Sequence, residues 1–335
     1  MTNEAFVTLV TNDSYAKGAL VWGQSLRNCG TTKKLVIMIG YKPEPPLQAV
    51  MEKTFDELVY VSLMDSGDTT RLALMARPEL GVTFTKLQCW TLTHYTKCVF
   101  MDADTLVVEN IDDLFEREEF SAAPDVGWPD MFNTGVFVYK PSMETYGKLL
   151  ELAKSEGSFD GGDQGLLNAY FSDWAFKDIT KRLPFIYNMA ANLTYSYLPA
   201  LLRFGTEVKV VHFLGQSKPW NFGYSAESDN VYGGSMADNM FQTTKPFIRT
   251  WWKVYNHNVE PLFEKKPEGS VDVPEYPKSS APVSSETNGS EGGKASGAAT
   301  PDQWERGDIN YTGSDRFHNI QRHLDAMIYK NANDY

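Results

Sequence analysis

The chain is poor in cysteine, with only Cys29, Cys89 and Cys98 among its 335 residues. An odd number at spacings that fit no zinc pattern argues against a disulfide framework and against a structural zinc site. Cys89 and Cys98 lie in apolar stretches. We therefore expect reduced thiols in or near a hydrophobic core, as in a cytoplasmic protein.

The sequence also lacks a basic leader and a long apolar run. Residues 1–10 carry no basic segment and lead directly into a predicted strand. No stretch is long enough to span a bilayer. The net charge of -12 and the pI of about 5.0 argue against nucleic acid or an anionic membrane as the main partner. An anionic substrate would need a metal ion or a few lysine and arginine side chains.

A G-x-G-x-x-G fingerprint is missing, which disfavours a dinucleotide-binding domain. Residues 5–11 nevertheless predict a strand, and Asn12 and Ser14 supply helix-capping chemistry directly after it. Further strands and helices alternate along the chain, with strands at 34–40, 58–63, 132–139 and 208–215 and helices at 47–54, 85–92, 143–154, 163–170 and 247–263. This alternation predicts an α/β domain with right-handed crossovers and a mostly parallel central sheet.

The stretch from residue 99 to 108 carries Asp102 and Asp104 inside an apolar run typical of a buried strand. Buried carboxylates are costly unless they are paired or bound to a metal, and residues i and i+2 of a strand point to the same side. The two side chains can therefore converge on a divalent cation that also grips a phosphate, and Ala103 leaves room beside them. A D-x-D pair alone is a weak motif, so a strand end that starts a loop stays an alternative.

Other candidate residues each have an ordinary structural interpretation beside the functional one. Arg77 and Lys86 flank a helix start, where anions gain from free N–H groups, but they are also typical solvated charges. Gly135 permits close approach of a ligand to a strand, or marks a bulge. Asp163 is a good helix N-cap. His212 lies in an apolar strand, where it is either a core residue or a third metal ligand.

The composition changes after residue 264. Of the 36 residues from Lys265 to Thr300, 16 are proline, glycine or serine, which predicts a disordered linker. Beyond it, Ser314 can cap a helix whose apolar stripe suits docking to a partner and comprises Phe317, Ile320, Leu324 and Ile328. We therefore divide the chain into an α/β domain at 1–263, a linker at 264–300 and a C-terminal segment at 301–335.

Six short stretches together are far more specific than the D-x-D pair alone: 6–9, 77–83, 101–106, 161–165, 195–200 and 211–215. In them the chain resembles the glycogenin family, the self-glucosylating retaining enzymes of glycosyltransferase family 8. The resemblance covers residues 1–263 nearly without gaps and returns at the C-terminal end. It implies a GT-A type, Rossmann-like nucleotide-sugar transferase domain.

The resemblance also implies the substrates and their binding residues. UDP-glucose would be the donor, and Mn²⁺, with Mg²⁺ as the alternative, would bind to Asp102, Asp104 and His212, a mixed oxygen and imidazole set that suits such a metal. The uridine pocket would comprise Leu9, Thr11, Asn12, Tyr15 and Val82. The phosphates and sugar would be held by Arg77, Lys86, Gly215 and Lys218, and the glucose by Asn133, Asp160, Asp163 and Gln164. Ala103 would also belong to the substrate-binding site.

In the family the first acceptor is the protein's own tyrosine, which corresponds to Tyr195, and the second is the growing α-1,4-glucan. Retention of configuration allows a double displacement with Asp163 as nucleophile or a front-face attack, and Lys86 would stabilise the departing charge. The resemblance further implies a homodimer and docking of glycogen synthase to residues 301–335. Two alternatives remain, a related transferase acting on an external acceptor and a scaffold that recruits glycogen synthase.

Overall fold

The computed structural model describes residues 3–67, 78–176, 178–191, 198–215, 217–233 and 239–263, without the side chains of 78–81, 198 and 239–243. All of these residues belong to one compact unit, residues 1–270. The predicted linker and C-terminal segment, together with Arg77 and Tyr195, lie outside the described residues. The fold below is therefore that of the α/β domain.

A six-stranded sheet in the order β3-β2-β1-β4-β7-β6 forms the centre of the domain. Its strands are β1 (Glu4–Val10), β2 (Lys34–Ile39), β3 (Glu57–Tyr60), β4 (Lys97–Met101), β6 (Ser121–Pro124) and β7 (Phe132–Tyr139). The pairs β1–β2, β2–β3 and β1–β4 are parallel, whereas β7 runs antiparallel to both of its neighbours. The prediction of an α/β domain with a mostly parallel central sheet is confirmed.

Most helices follow the predicted order, but the helix at 198–204 is not predicted, and the last helix begins at residue 239 instead of 247. The helices are α1 (Asp13–Asn28), α2 (Pro45–Thr54), α3 (Met143–Ser155), α4 (Asp163–Tyr170), α5 (Leu198–Phe204) and α6 (Asn239–Val254). The side chain of Asn12 caps α1 by accepting a hydrogen bond from the N–H of Tyr15 at 3.0 Å. A further difference is that a single 3-10 helix, Pro78–Thr91, replaces most of the predicted loop at 77–83 and the α-helix predicted after it.

The D-x-D run is not one continuous strand. β4 ends at Met101, and the chain continues in β5 (Thr105–Val107), which belongs to a separate sheet with β8 (Met189–Ala190) and β9 (Val210–His212). Asp102 and Asp104 therefore lie in the turn between two sheets. Their convergence comes from this turn and not from the alternation of a strand, so the strand-end alternative describes the backbone correctly.

Hydrophobic residues fill both faces of the central sheet. Trp22 and Trp251 are fully buried on one face, and Trp90 is fully buried on the other. Cys89 and Cys98 are buried, and all three cysteines are unpaired, as the sequence predicts. A hairpin of β10 (Gly223–Ser225) and β11 (Asn230–Tyr232) completes the strands of the described residues. Within that part of the chain, no helix combines the length and the apolar character needed to cross a membrane.

Candidate active site

A cavity of about 790 Å³ opens beside the turn between β4 and β5. The carboxyl ends of parallel strands are the usual place for ligands in α/β sheets. Every predicted binding residue that the structure describes lines this cavity: Leu9, Thr11, Asn12, Tyr15, Val82, Lys86, Asp102, Ala103, Asp104, Asn133, Asp160, Asp163, Gln164, His212, Gly215 and Lys218. Residues far apart in the sequence thus share one site, while their individual roles stay predictions.

Asp102, Asp104 and His212 form a cluster whose ligand atoms all lie within 4.8 Å of one another. Thr105 in β5 pairs with His212 in β9, which places the imidazole beside the turn that carries the two aspartates. The Nε2 atom of His212 is 3.3 Å from Asp104 Oδ1 and 3.9 Å from Asp102 Oδ2. Two carboxylates and one imidazole at these distances fit a divalent transition metal such as Mn²⁺.

Gly135 allows the imidazole to occupy this position. A Cβ atom added at Gly135 would overlap the ring of His212. The pairing of β4 with β7 is regular here, since Met101 pairs with Val136 and the N–H of Asp102 donates to the Gly135 carbonyl at 2.9 Å. On the other side, the register of β7 against β6 shifts between the pairs Ala122–Phe137 and Pro124–Phe132, so a bulge or irregularity does span Gly135. The group that the missing side chain admits is the ring of His212.

The ammonium of Lys86 lies between two carboxylates. Its Nζ atom is 2.6 Å from Asp163 Oδ2 and 3.0 Å from Asp102 Oδ1, and it donates to the Thr134 carbonyl at 3.2 Å. Burial alone would lower the pKa of Lys86, but the two negative charges outweigh it and raise the pKa above its ordinary value. Lys86 therefore stays a cation and is not a solvated surface charge.

Lys218 forms a second buried ion pair, with Asp104, and also donates to the Phe213 carbonyl at 2.8 Å. Burial works to raise the pKa of Asp104, yet the charges of Lys218 and His212 lower it well below its ordinary value. Burial raises the pKa of Asp102 despite the opposing charge of Lys86, and Asp104 adds to the increase. The two carboxylates of the D-x-D pair therefore differ in their affinity for protons, with Asp104 the more acidic.

Asp163 is not the N-cap of α4. Gly162 occupies that position, and Asp163 is the first residue of the helix. Its carboxylate accepts a hydrogen bond from the Thr134 hydroxyl at 2.8 Å beside the Lys86 ammonium, and its N–H donates to the Thr83 hydroxyl at 3.0 Å. The side chain, which is only 8% exposed, is thus oriented toward the cavity instead of capping its own helix.

Several residues of the site have no obvious signal in the sequence. Thr83, Thr134 and Asp125 line the cavity. The side-chain oxygen of Asn188 lies 2.8 Å from His212 Nδ1, within hydrogen-bonding distance. Thr134 follows a predicted glucose-binding residue in a buried strand, which is a weak signal for its hydroxyl. Asn188 and Asp125 reach the site only through the tertiary fold, so no spacing in the chain reveals them.

Comparisons with known proteins identify the family. The family model described as Glycosyl transferase family 8 matches residues 116–223. Glycogenin-1 of Mus musculus is 51% identical over 98% of this chain and 100% of its own length. Glycogenin-2 of Homo sapiens is 54% identical over 81% of this chain and 54% of its own length.

Two solved structures show the same fold at low sequence identity. The glycosyltransferase GlyE of Streptococcus pneumoniae TIGR4 superimposes with a TM-score of 0.52 at 19% identity, covering 78% of this chain and 63% of that one. The galactosyltransferase LgtC, solved in complex with donor and acceptor sugar analogs, gives a TM-score of 0.50 at 15% identity over 79% and 98% of the two chains. Both are glycosyltransferases, and at this identity they support the fold alone.

Proposed function

Because this chain belongs to the glycogenin family of glycosyltransferase family 8, we propose that it transfers glucose from UDP-glucose to its own Tyr195 and then extends an α-1,4-glucan from that residue. The chain is a glucosyltransferase of the glycogenin type. The observation that carries the finer proposal is the single cavity in which an Asp–Asp–His cluster, two buried lysines and the predicted sugar-binding residues meet.

In this proposal Asp102, Asp104 and His212 hold Mn²⁺. When bound, the ion would supply a positive charge that stabilises the departing diphosphate. Lys86 and Lys218 contribute protein charges at the same end of the cavity, because both ammonium groups are buried beside the cluster. Fixed charges in a water-poor site stabilise a developing negative charge more strongly than they would in water.

In this proposal Asp163 acts on the reacting face of the glucose. Lys86 and the Thr134 hydroxyl hold its carboxylate in one orientation. A carboxylate there suits both routes to retention of configuration, as the nucleophile of a double displacement or as a group that stabilises an oxocarbenium-like transition state during front-face attack. Asn133 and Gln164 lie next to it, and the amide of Asn133 donates to Gln164 Oε1 at 3.1 Å. This pair supplies polar groups for the sugar hydroxyls.

The acceptor assignment is tested with Tyr195→Phe, which removes only a hydroxyl. After incubation with UDP-glucose and Mn²⁺, the peptide containing residue 195 should carry hexose in the wild type and none in the variant. Tyr197→Phe is the matched control and should keep its hexose at residue 195. The variant should still glucosylate a free maltoside, because its catalytic cavity is unchanged. Undiminished hexose on the Tyr195→Phe protein would assign the acceptor to another residue.

The scaffold alternative concerns the C-terminal segment. We propose that residues 301–335 bind glycogen synthase and that residues 264–300 tether it near the glucan, which raises the local concentration of the synthase. Deleting residues 304–335 should leave self-glucosylation intact and abolish co-purification with glycogen synthase. Retained binding would place the docking surface on the α/β domain. We also propose that the protein is cytoplasmic and forms a homodimer. Light scattering of the purified protein would test the homodimer, because it measures the molar mass of the particle in solution.

A further inference from the structure

On its Nδ1 side, away from the two carboxylates, the imidazole of His212 contacts a series of hydrogen-bonded, buried amides. Its Nδ1 atom lies 2.8 Å from Asn188 Oδ1, and the amide of Asn188 donates to Asn133 Oδ1 at 2.8 Å. Asn188 is 4% exposed and His212 is 2% exposed. Hydrogen bonds between such buried groups are directional, so donors and acceptors must alternate along the series.

Two hydrogen bonds fix the orientation of the Asn133 side-chain amide. The backbone N–H of Gly135 donates to Asn133 Oδ1 at 2.9 Å, and a backbone N–H has no acceptor role. On its other side the Asn133 amide donates to Asp125 Oδ2 at 2.9 Å, and an ionised carboxylate only accepts. Asn133 therefore presents its oxygen to Asn188, and Asn188 in turn presents its oxygen to His212.

We propose that Asn188 is a positioning residue that fixes the Nδ1–H tautomer of His212, so that Nε2 presents its lone pair to the metal site. With the opposite tautomer, lone pairs of Nδ1 and Asn188 Oδ1 would face each other across 2.8 Å. Nε2 is the nitrogen near the carboxylates, 3.3 Å from Asp104 Oδ1. Metal-binding histidines commonly use their second nitrogen in this way, and loss of such a partner lowers metal affinity about 10–100-fold.

The local fold explains why Asn188 can do this. It lies between the 3-10 turn Phe185–Tyr187 and β8. β8 pairs in parallel with β9, so that Ala190 lies opposite His212. The pairing of these two short strands therefore sets the distance between the amide and the ring. The inference rests on the proposed metal site, but the hydrogen on Nδ1 is a property of the protein without metal.

The first test is the tautomer itself. Long-range ¹H–¹⁵N NMR of the metal-free protein reports whether Nδ1 of His212 carries a hydrogen, both when Nε2 carries one and when it does not. The ring signals are assigned with His212→Gln. We expect a hydrogen on Nδ1 in the wild type. A ring that carries its only hydrogen on Nε2 would overturn the proposal whatever the enzyme's activity.

The second test measures affinity for Mn²⁺ alone by calorimetry, without nucleotide. Asn188→Ala should weaken binding by about tenfold or more and release the preference for Nδ1–H. Asn188→Asp retains an acceptor for Nδ1–H but loses the donor to Asn133 Oδ1, so it should keep the hydrogen on Nδ1 and bind Mn²⁺ more tightly than Asn188→Ala. If Asn188→Ala does not fold, the wild-type tautomer and the aspartate variant still decide the question.

Asn110→Ala is the matched control, because that amide also makes two hydrogen bonds, to the Cys29 carbonyl and from the Asp112 N–H, on exposed surface away from the cavity. It should change neither the tautomer nor the affinity. An Asn188→Ala protein that binds Mn²⁺ as tightly as the Asn110→Ala protein would show that Asn188 does not position the ring. If neither the wild type nor any variant binds Mn²⁺ while the wild-type ring carries Nδ1–H, the assignment of the metal site is wrong. The assignment of the hydrogen to Nδ1 then still holds.

Discussion

Replacing Lys86 by methionine should destabilise the fold strongly, because this ammonium neutralises two carboxylates. Its Nζ atom lies 2.6 Å from Asp163 Oδ2 and 3.0 Å from Asp102 Oδ1. Methionine keeps most of the apolar volume and removes the charge. Asp163 is 8% exposed and would be left as a buried, uncompensated anion.

The magnitude follows from the exposure of the two partners. Removing one member of a buried ion pair costs about 3–5 kcal/mol. The Asp102 side chain is 30% exposed toward the cavity, so water screens it and its contribution is smaller. We therefore expect the free energy of unfolding to fall by about 3–5 kcal/mol and not by twice that amount. Adding Asp163→Asn to Lys86→Met should recover part of the loss, because the anion is then gone.

Denaturation in urea measures this effect as a shift of the midpoint at constant slope. Lys140→Met is the control, because it breaks an ion pair with Glu118 whose side chains are 48% and 65% exposed. Exposed pairs contribute about 0–1 kcal/mol. If Lys86→Met unfolds at the same midpoint as Lys140→Met, the assignment of Lys86 as a buried counter-ion is wrong.

Three further outcomes are expected. Gly135→Ala should destabilise the protein by about 1–3 kcal/mol, because the added Cβ overlaps the imidazole of His212. Gly147→Ala is the control, because it lies in a helix with open space around it, and it should stabilise the protein by about 0.5–1 kcal/mol. Equal melting temperatures of the two variants would contradict this prediction. Burial opposes ionisation of Asp56, but hydrogen bonds from a backbone N–H and from Arg27 lower its pKa, so its stabilisation is complete above about pH 4 and is lost as the pH falls through the lowered pKa. Asp56→Asn should cost about 1–2 kcal/mol at pH 7 and progressively less below about pH 4 in urea titrations. Asp104→Asn should slow glucosyl transfer about 100-fold or more, or about 3 kcal/mol, and full activity in excess EDTA would argue against a metal.

The sequence predicts the sheet because its strands are local apolar runs. The bounds of β7 match the prediction at both ends, and those of β1 and β2 differ from it by single residues. The antiparallel pairing of β4 with β7 is not predictable in this way, since strand direction depends on how the connection between them folds. The 3-10 geometry of Pro78–Thr91 is a tertiary effect of the same kind.

The site shows the same division. Asp102 and Asp104 are recognisable because charges are rare within an apolar run, even though the backbone there is a turn. The residues that support them are less visible. Asn188 is 24 residues from His212, and its contribution depends on the pairing of two strands that are two and three residues long. Interactions of this kind leave no periodicity in the chain.

The central claim is that this chain is its own glucose acceptor, and intact mass spectrometry tests it most directly. The purified wild-type protein, freed of any attached glucan, is incubated with UDP-glucose and Mn²⁺ in the absence of other acceptors. We predict a ladder of hexose-spaced mass increments on the chain, which Asp104→Asn and EDTA both suppress. A wild-type mass that stays constant, while the same preparation glucosylates an added maltoside, would contradict the claim and identify a transferase for an external acceptor.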